Sequence, residues 1–335
     1  MDNVSLDPQT KRAARLSLII ALIIFVIKFI AYRMTGSQAI FSEAMETTVN
    51  IIAAIVALFV IYYAAKPADK GHPYGHGKAE NLSAALEGGL IVFAAFIIIF
   101  EALQAFYEGR PLQGLNLGLV LLAFTGVLNF IMGYYLIKVG EKQKSSALKA
   151  SGKHLLADFW TSAGVLVGLG LVILTSVVWI DRVIALLVSI HLIKEGFGLI
   201  RESVGALLDE EEQGVLKQIQ GVINNHRQEG MIQVHHLRVM RSGSYHHIDA
   251  HVVVPEFWSV EDAHDQTLKY ENLIFDHYEY PGEVHFHIDP CRRLYCQFCD
   301  FKNCPVRKEE FIEKRKMSID EMISKDEPEE VTQVQ

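Results

Sequence analysis

The sequence predicts an all-α six-helix transmembrane domain joined to a C-terminal α+β, ferredoxin-like (αββαβ) domain. Three observations predict it. Half of the 335 residues are hydrophobic, a membrane composition. The apolar residues crowd into six blocks before residue 208, each able to cross a hydrocarbon core of roughly 30 Å, which takes about 20 helical residues. After Asp209 the pattern changes to short amphipathic helices and alternating strands.

The blocks run over about 13–33, 39–64, 81–106, 114–138, 154–178 and 181–205. Turn or charge signals separate them: Thr35-Gly36-Ser37, Lys66-Pro67, Gly109-Arg110-Pro111, a Lys-rich stretch from Glu141 to Lys153, and Trp179 to Arg182. Lys11, Arg12 and Arg15 lead into the first block with no small-residue cleavage site behind it, so it is expected to stay as a membrane helix. An even number of spans puts both termini on one side. Lys11, Arg12 and Arg15, then Lys66, Lys70 and Lys78, then Lys138, Lys142, Lys144, Lys149 and Lys153 share that side, against Arg33, Arg110 and Arg182 opposite. Basic residues accumulate in cytoplasmic loops. A multi-pass inner-membrane protein with cytosolic termini is expected.

The soluble part reads as helix 211–226, strands 232–240 and 245–254, helix 260–277 and strand 283–289. Ser242-Gly243-Ser244 makes the first two strands a hairpin, and Ser259 with Asp262 caps the second helix. In the last strand Val284, Phe286 and Ile288 point one way and His285, His287 and Asp289 the other. The expected division is 1–208 for transport, 209–290 for metal binding and dimerisation, and 291–335 as a Cys-rich extension with an acidic tail. The final Lys-, Glu- and Asp-rich stretch is expected to be a solvated helix and a disordered end.

The net charge of −8 falls largely in the C-terminal third and its tail. That excludes a basic groove for nucleic acid. No HExxH or GxSxG pattern occurs, which argues against a membrane metalloenzyme or hydrolase.

Ionisable groups at membrane depth are costly enough to imply function. Glu46 and Asn50 are four apart in the second span, as are His154 and Asp158 in the fifth, so each pair shares a helix face. Together they offer two carboxylates, an amide oxygen and an imidazole. The carboxylates offset a dication's charge, and the donor set suits tetrahedral zinc, with ferrous iron or cobalt also accepted. Protons compete for the same groups, so a site facing each side in turn exchanges metal for protons. The alternative is that these residues bond neighbouring spans. Glu43, Lys28 and His191 are read as structural; Glu87 and Glu101 stay open.

With these residues in view, the chain resembles the cation diffusion facilitator family, similar to its bacterial ferrous-iron and zinc efflux type. The resemblance runs from about Arg12 to Cys291. It is carried by Gly36-Ser37, by the loop Lys66-Pro67-Ala68-Asp69-Lys70-Gly71-His72-Pro73-Tyr74-Gly75-His76-Gly77-Lys78-Ala79-Glu80, by HxxxD at His154 and Asp158, and by His287-Ile288-Asp289-Pro290-Cys291. It implies a transport site at Glu46, Asn50, His154 and Asp158. The chain departs from the family's best-known pumps at Glu46 and Asn50, where those carry aspartate or histidine and aspartate, so the metal is left open among zinc, iron, cobalt and cadmium. His154 leans away from manganese.

The resemblance also implies a loop site at Asp69, His72 and His76, for which a merely tight loop is the alternative. It implies a binuclear cytosolic site at His235, His251, His264, His287 and Asp289, and a homodimer held by an ion-pair interlock of Lys78 with Asp209, for which an ordinary exposed pair worth under about 1 kcal/mol is the alternative. Ten of the fourteen histidines lie between His226 and His287, which supports the cytosolic site independently. His236, His246, His247 and His285 have no match and stay unassigned. Beyond Cys291 the likeness fades. Cys291, Cys296, Cys299 and Cys304 read as a four-thiolate structural zinc site in a reducing compartment, with an iron–sulfur cluster as the runner-up and four free thiols on a mobile tail as the remaining alternative. Two other functions are kept in view: a membrane-anchored metal sensor and a monovalent-cation/proton exchanger of the same fold.

Overall fold

A computed structural model describes residues 8–142, 146–243 and 245–325. Lys144, Ser244 and the tail after 325 lie outside the described residues. Six long helices come first: α1 (Pro8–Thr35), α2 (Gln38–Ala64), α3 (Ala79–Glu108), α4 (Leu115–Lys142), α5 (Ser146–Thr175) and α6 (Trp179–Leu207). Each carries an apolar stretch long enough to cross a membrane. They extend a turn or so past several expected limits because polar residues such as Glu141 and Lys142 continue the helix.

The described chain forms two compact units, Met1–Phe59 with Ser83–Glu202, and Val60–Leu82 with Ser203–Gln335. In the first, helices meet where side chains are absent. A Cβ on Gly88 would stand 2.7 Å from the carbonyl of Gly196, and one on Gly133 2.8 Å from that of Gly152. These glycines let α3 approach α6, and α4 approach α5. The opposite faces carry bulk: Phe93, Phe96 and Phe100 stand in one stripe of α3, each more than half exposed, a surface suited to lipid rather than water.

Asp181, wholly buried at the start of α6, holds the start of α2. It accepts from Ser37 Oγ (2.5 Å) and from the backbone N–H groups of Gln38 (2.8 Å) and Ala39 (3.1 Å). The otherwise unpaired N–H groups of a helix start take a carboxylate well. This fixes where α2 begins, and so where Glu46 and Asn50 lie along it.

The second unit contains α7 (Gln213–Asn225), β1 (Gln233–Ser242), β2 (Tyr245–Val254), α8 (Val260–His277), β3 (Gly282–Pro290) and α9 (Ile319–Ile323). The order αββαβ is the expected one. β1 and β2 pair antiparallel and β2 and β3 parallel. Leu216, Ile219 and Ile223 of α7 and Tyr270 and Ile274 of α8 pack with Val234, Ile248, Ala250, Val252 and Val284 of the sheet, leaving the other face for polar residues. Ser259 and Asp262 form the expected capping box.

The final stretch departs from a solvated helix. Met317 and Met322 are buried in this core, and the Met317 amide donates to Asn224 Oδ1 at 2.9 Å. Two methionines among the charges supply the apolar anchor that the composition of the stretch conceals.

Candidate functional site

α2 and α5 meet directly at Glu43, whose Oε2 accepts from Ser162 Oγ at 2.5 Å and from Lys28 Nζ of α1 at 2.6 Å. Lys28 is 2% exposed and Glu43 0%. An ion pair so deep is costly unless further hydrogen bonds complete it, and Ser162 provides one. The pairing is compatible with the structural reading of both residues.

From this layer, going up α2 means going down α5. Glu46, Asn50 and His154 line one cavity with Val49, Ile91, Ala94, Leu192 and Glu195. Asp158 is 8% exposed, and its Oδ1 lies 3.7 Å from His154 Nε2. The charges acting on Glu46 are those of Asp158, Glu43, Lys28 and Glu195. The four expected residues therefore gather in one region. Its groups match a dication in charge and donor type, and each can instead take a proton or a polar partner.

Glu195 was not expected there. It stands on α6, with its Oε1 3.5 Å from His191 Nε2 one turn earlier, and it brings a further carboxylate to a site where Asn50 is neutral. No periodicity within one helix signals a residue contributed by a third. Of the open pair, Glu101 binds Arg110 at 3.1 Å, a surface pairing.

In the loop between α2 and α3, Asp69 Oδ1 lies 3.2 Å from His72 Nδ1 and Asp69 Oδ2 lies 3.5 Å from His76 Nε2. All three offer ligand atoms within 4.8 Å of one another. The backbone N–H of His72, and then that of Gly71, holds the Asp69 carboxyl below the usual carboxylate range, which keeps it ionised. His76 is buried edge-on against Tyr63. Gly77 lies so close to Ser242 that any Cβ would overlap its backbone. Lys78 Nζ reaches Asp209 Oδ1 at 2.8 Å within the same chain.

Across the open face of the sheet, register does the gathering. His235 pairs with His251, and His251 with His287, so three imidazoles stand in a row on neighbouring strands. Asp289, two beyond His287, accepts from His251 Nδ1 at 2.9 Å and lies 3.4 Å from His235 Nε2. His235, His251 and Asp289 form a second group within 4.8 Å. The His287 ring sits 4.6 Å from that of His251, its own side chain 68% exposed. His264 is exposed on α8 and lies outside that group.

His236 joins the row by a backbone irregularity. The register shifts between His235 and Arg238, and His236 takes φ of +51°, so both consecutive histidines face His251, with ring centroids 5.0 and 4.9 Å away. Strict alternation would send them to opposite faces. Of the other unassigned histidines, His246 and His247 are buried and His285 is exposed. His246 bonds Tyr278 Oη at 2.6 Å and stacks on Tyr280, His247 bonds Glu283 at 2.7 Å, and His285 lies 3.7 Å from the same Glu283.

Cys291, Cys296, Cys299 and Cys304 are free thiols that line one cavity. Burial pushes the Cys291 and Cys299 thiols up.

Residues 14–208 match the family described as the cation efflux transmembrane domain, and residues 212–291 match the cation efflux protein cytoplasmic domain. The chain is 36% identical over 286 residues to an uncharacterized transporter of Synechocystis sp., covering 84% of this chain and 92% of the relative. It is 28% identical over 302 residues to the cation-efflux pump FieF of Yersinia pestis and to that of Yersinia pseudotuberculosis, covering 85% of this chain and 96% of each relative. None of these likenesses supports an iron–sulfur cluster at the cysteines: the matched families concern cation efflux, and the cytoplasmic match stops at residue 291.

Proposed function

Because the chain belongs to the cation efflux family of membrane transporters, multi-pass and not an enzyme, we propose that it exports a divalent metal cation from the cytosol in exchange for protons. Zinc is the first candidate, with ferrous iron, cobalt and cadmium following. The observation that carries this reading is the cavity shared by Glu46, Asn50 and His154, with buried Asp158 one turn from His154. Glu46 and Asp158 offset the ion's charge, His154 supplies a nitrogen donor suited to zinc, and Asn50 adds a neutral oxygen. Glu195 is the carboxylate within reach that compensates for Asn50. Protonation of His154 and the carboxylates on the opposite side releases the ion.

The protein acts as a homodimer in the inner membrane with both termini cytosolic. Asp69, His72 and His76 bind a second ion at the membrane edge. His235, His251, His287 and Asp289, with His264 recruited from α8, bind metal in the cytosolic domain and favour the paired state. The Lys78–Asp209 pair serves as the ion-pair interlock of the dimer.

The test is zinc uptake into inside-out vesicles under a pH gradient. Uptake that drives proton efflux, and that Asp158→Ala abolishes, supports the reading; uptake unchanged by Asp158→Ala overturns it. Sodium competing with zinc for the same flux would identify a monovalent exchanger. Absence of any flux, with metal-dependent dimer contacts retained, would identify a sensor.

A further inference from the structure

The family match ends at residue 291, yet the chain beyond it is folded onto the sheet. Cys291 follows Asp289 by two residues in the β3 direction, so it lies on the same open face, one step past the histidine row. Between there and Ser318 the described residues form one turn of 3₁₀ helix, Arg293–Tyr295, and otherwise loops. Around the cysteines, before Met317 reaches the main core, the apolar anchorage is small: Tyr295 and Cys299 pack on Ile232 and Val253, with Leu294 and Phe301 beside them. A segment with so little backbone ladder and so small a core needs a cross-link to hold one shape.

The cavity at its centre is lined by all four cysteines and ringed by Arg292, Arg293, Arg307 and Lys308, against the single acid Glu256. Arg307 donates to the carbonyls of Cys296 (2.8 Å), Cys299 (3.0 Å) and Phe301 (2.8 Å), and the Glu256 N–H points at Cys291 Sγ from 3.4 Å. Four thiolates on a dication leave a net charge of −2, and this basic rim offsets it. Among the described residues no three of the sulfurs come within the 4.8 Å that the two histidine–carboxylate groups reach. Closing on a tetrahedral ion, with metal–sulfur bonds of about 2.3 Å, draws the loops together.

Past the cysteines the chain returns to the histidine site. Met317 Sδ accepts from the Val234 N–H at 3.1 Å, and the Ser324 carbonyl accepts from the His236 N–H at 2.8 Å. The far end of the extension thus fastens the strand segment that carries His235 and His236.

We propose that Cys291, Cys296, Cys299 and Cys304 bind one soft divalent cation, zinc by its chemistry, as a resident structural centre separate from the transported ion, and that this centre staples the extension over the end of the histidine face. Each ligating thiol gives up its proton to solvent, and the binding free energy becomes folding free energy of the extension.

The test uses full-length protein in detergent, stripped by chelator and reloaded with cobalt. The expected result is an intense near-ultraviolet sulfur-to-cobalt charge-transfer band, retained in His251→Ala and lost in the double variant Cys296→Ser/Cys299→Ser. With the unaltered protein, which raises no question of misfolding, zinc is expected to abolish the reactivity of all four thiols toward a disulfide reagent. Absence of the band, or thiols that react equally with and without zinc, overturns the proposal. Acid-labile sulfide in the protein as purified also overturns it, in favour of a cluster.

Discussion

Between α2 and α5 the donor groups are spread along two helices, with His154 Nε2 3.7 Å from Asp158 Oδ1 and the His154 side chain 53% exposed. Across β1, β2 and β3, strand register alone aligns His235, His251 and His287 and brings His251 within 2.9 Å of Asp289. Under the proposed function, the difference follows from what each region would do with an ion. A transported ion has to leave, so a site that is fully assembled in one state would trap it. A resident ion has only to stay, and a rigid sheet lowers the cost of organising its ligands.

The largest effect expected from breaking this contrast is at the scaffold beneath the helix site. Lys28→Met leaves Glu43 charged and buried without its cation, at a cost of about 3–5 kcal/mol, seen as a lowered thermal midpoint in detergent. Lys28→Met with Glu43→Gln should recover most of it. A single variant as stable as the parent would mean that this layer is not a fixed support. On the sheet, Asp289→Ala removes the carboxylate shared by His235 and His251. Metal titration should show at least a tenfold weaker site, roughly 1.4 kcal/mol or more, while zinc flux persists at a reduced rate; complete loss of flux would make the sheet site part of the pathway.

A smaller change sharpens the helix side. Glu195→Gln should weaken zinc binding in transport assays by roughly fivefold, about 1 kcal/mol, and Asn50→Asp in the same chain should restore it. The smallest effect concerns the sheet's own support. Burial lowers the His246 pKa, so the folded protein holds fewer protons than the unfolded one in this range. Stability is complete above the unfolded value of about 6.5 and declines as pH falls below it. Unfolding measured from pH 7 to pH 5 should show that slope, and His246→Gln should flatten it.

The six spans and the αββαβ order were legible because hydrophobic length and periodicity are local properties. So were the pairs Glu46 with Asn50 and His154 with Asp158, since a four-residue spacing fixes a shared helix face. What escaped depended on tertiary meetings. Glu195 comes from a third helix, Asp181 caps a helix far from it in sequence, and Met317 finds the core from within a charged stretch. His236 reaches the histidine row through a bulge with positive φ, where the alternation rule fails locally.

The proposed transport requires a dication between α2 and α5 in the grip of Glu46, Asn50, His154 and Asp158. Anomalous scattering from zinc-loaded, transport-competent protein would locate it. A peak is expected about 2.0–2.2 Å from a His154 nitrogen and an Asp158 oxygen. Zinc density at the C-terminal sites with none between these two helices would contradict it.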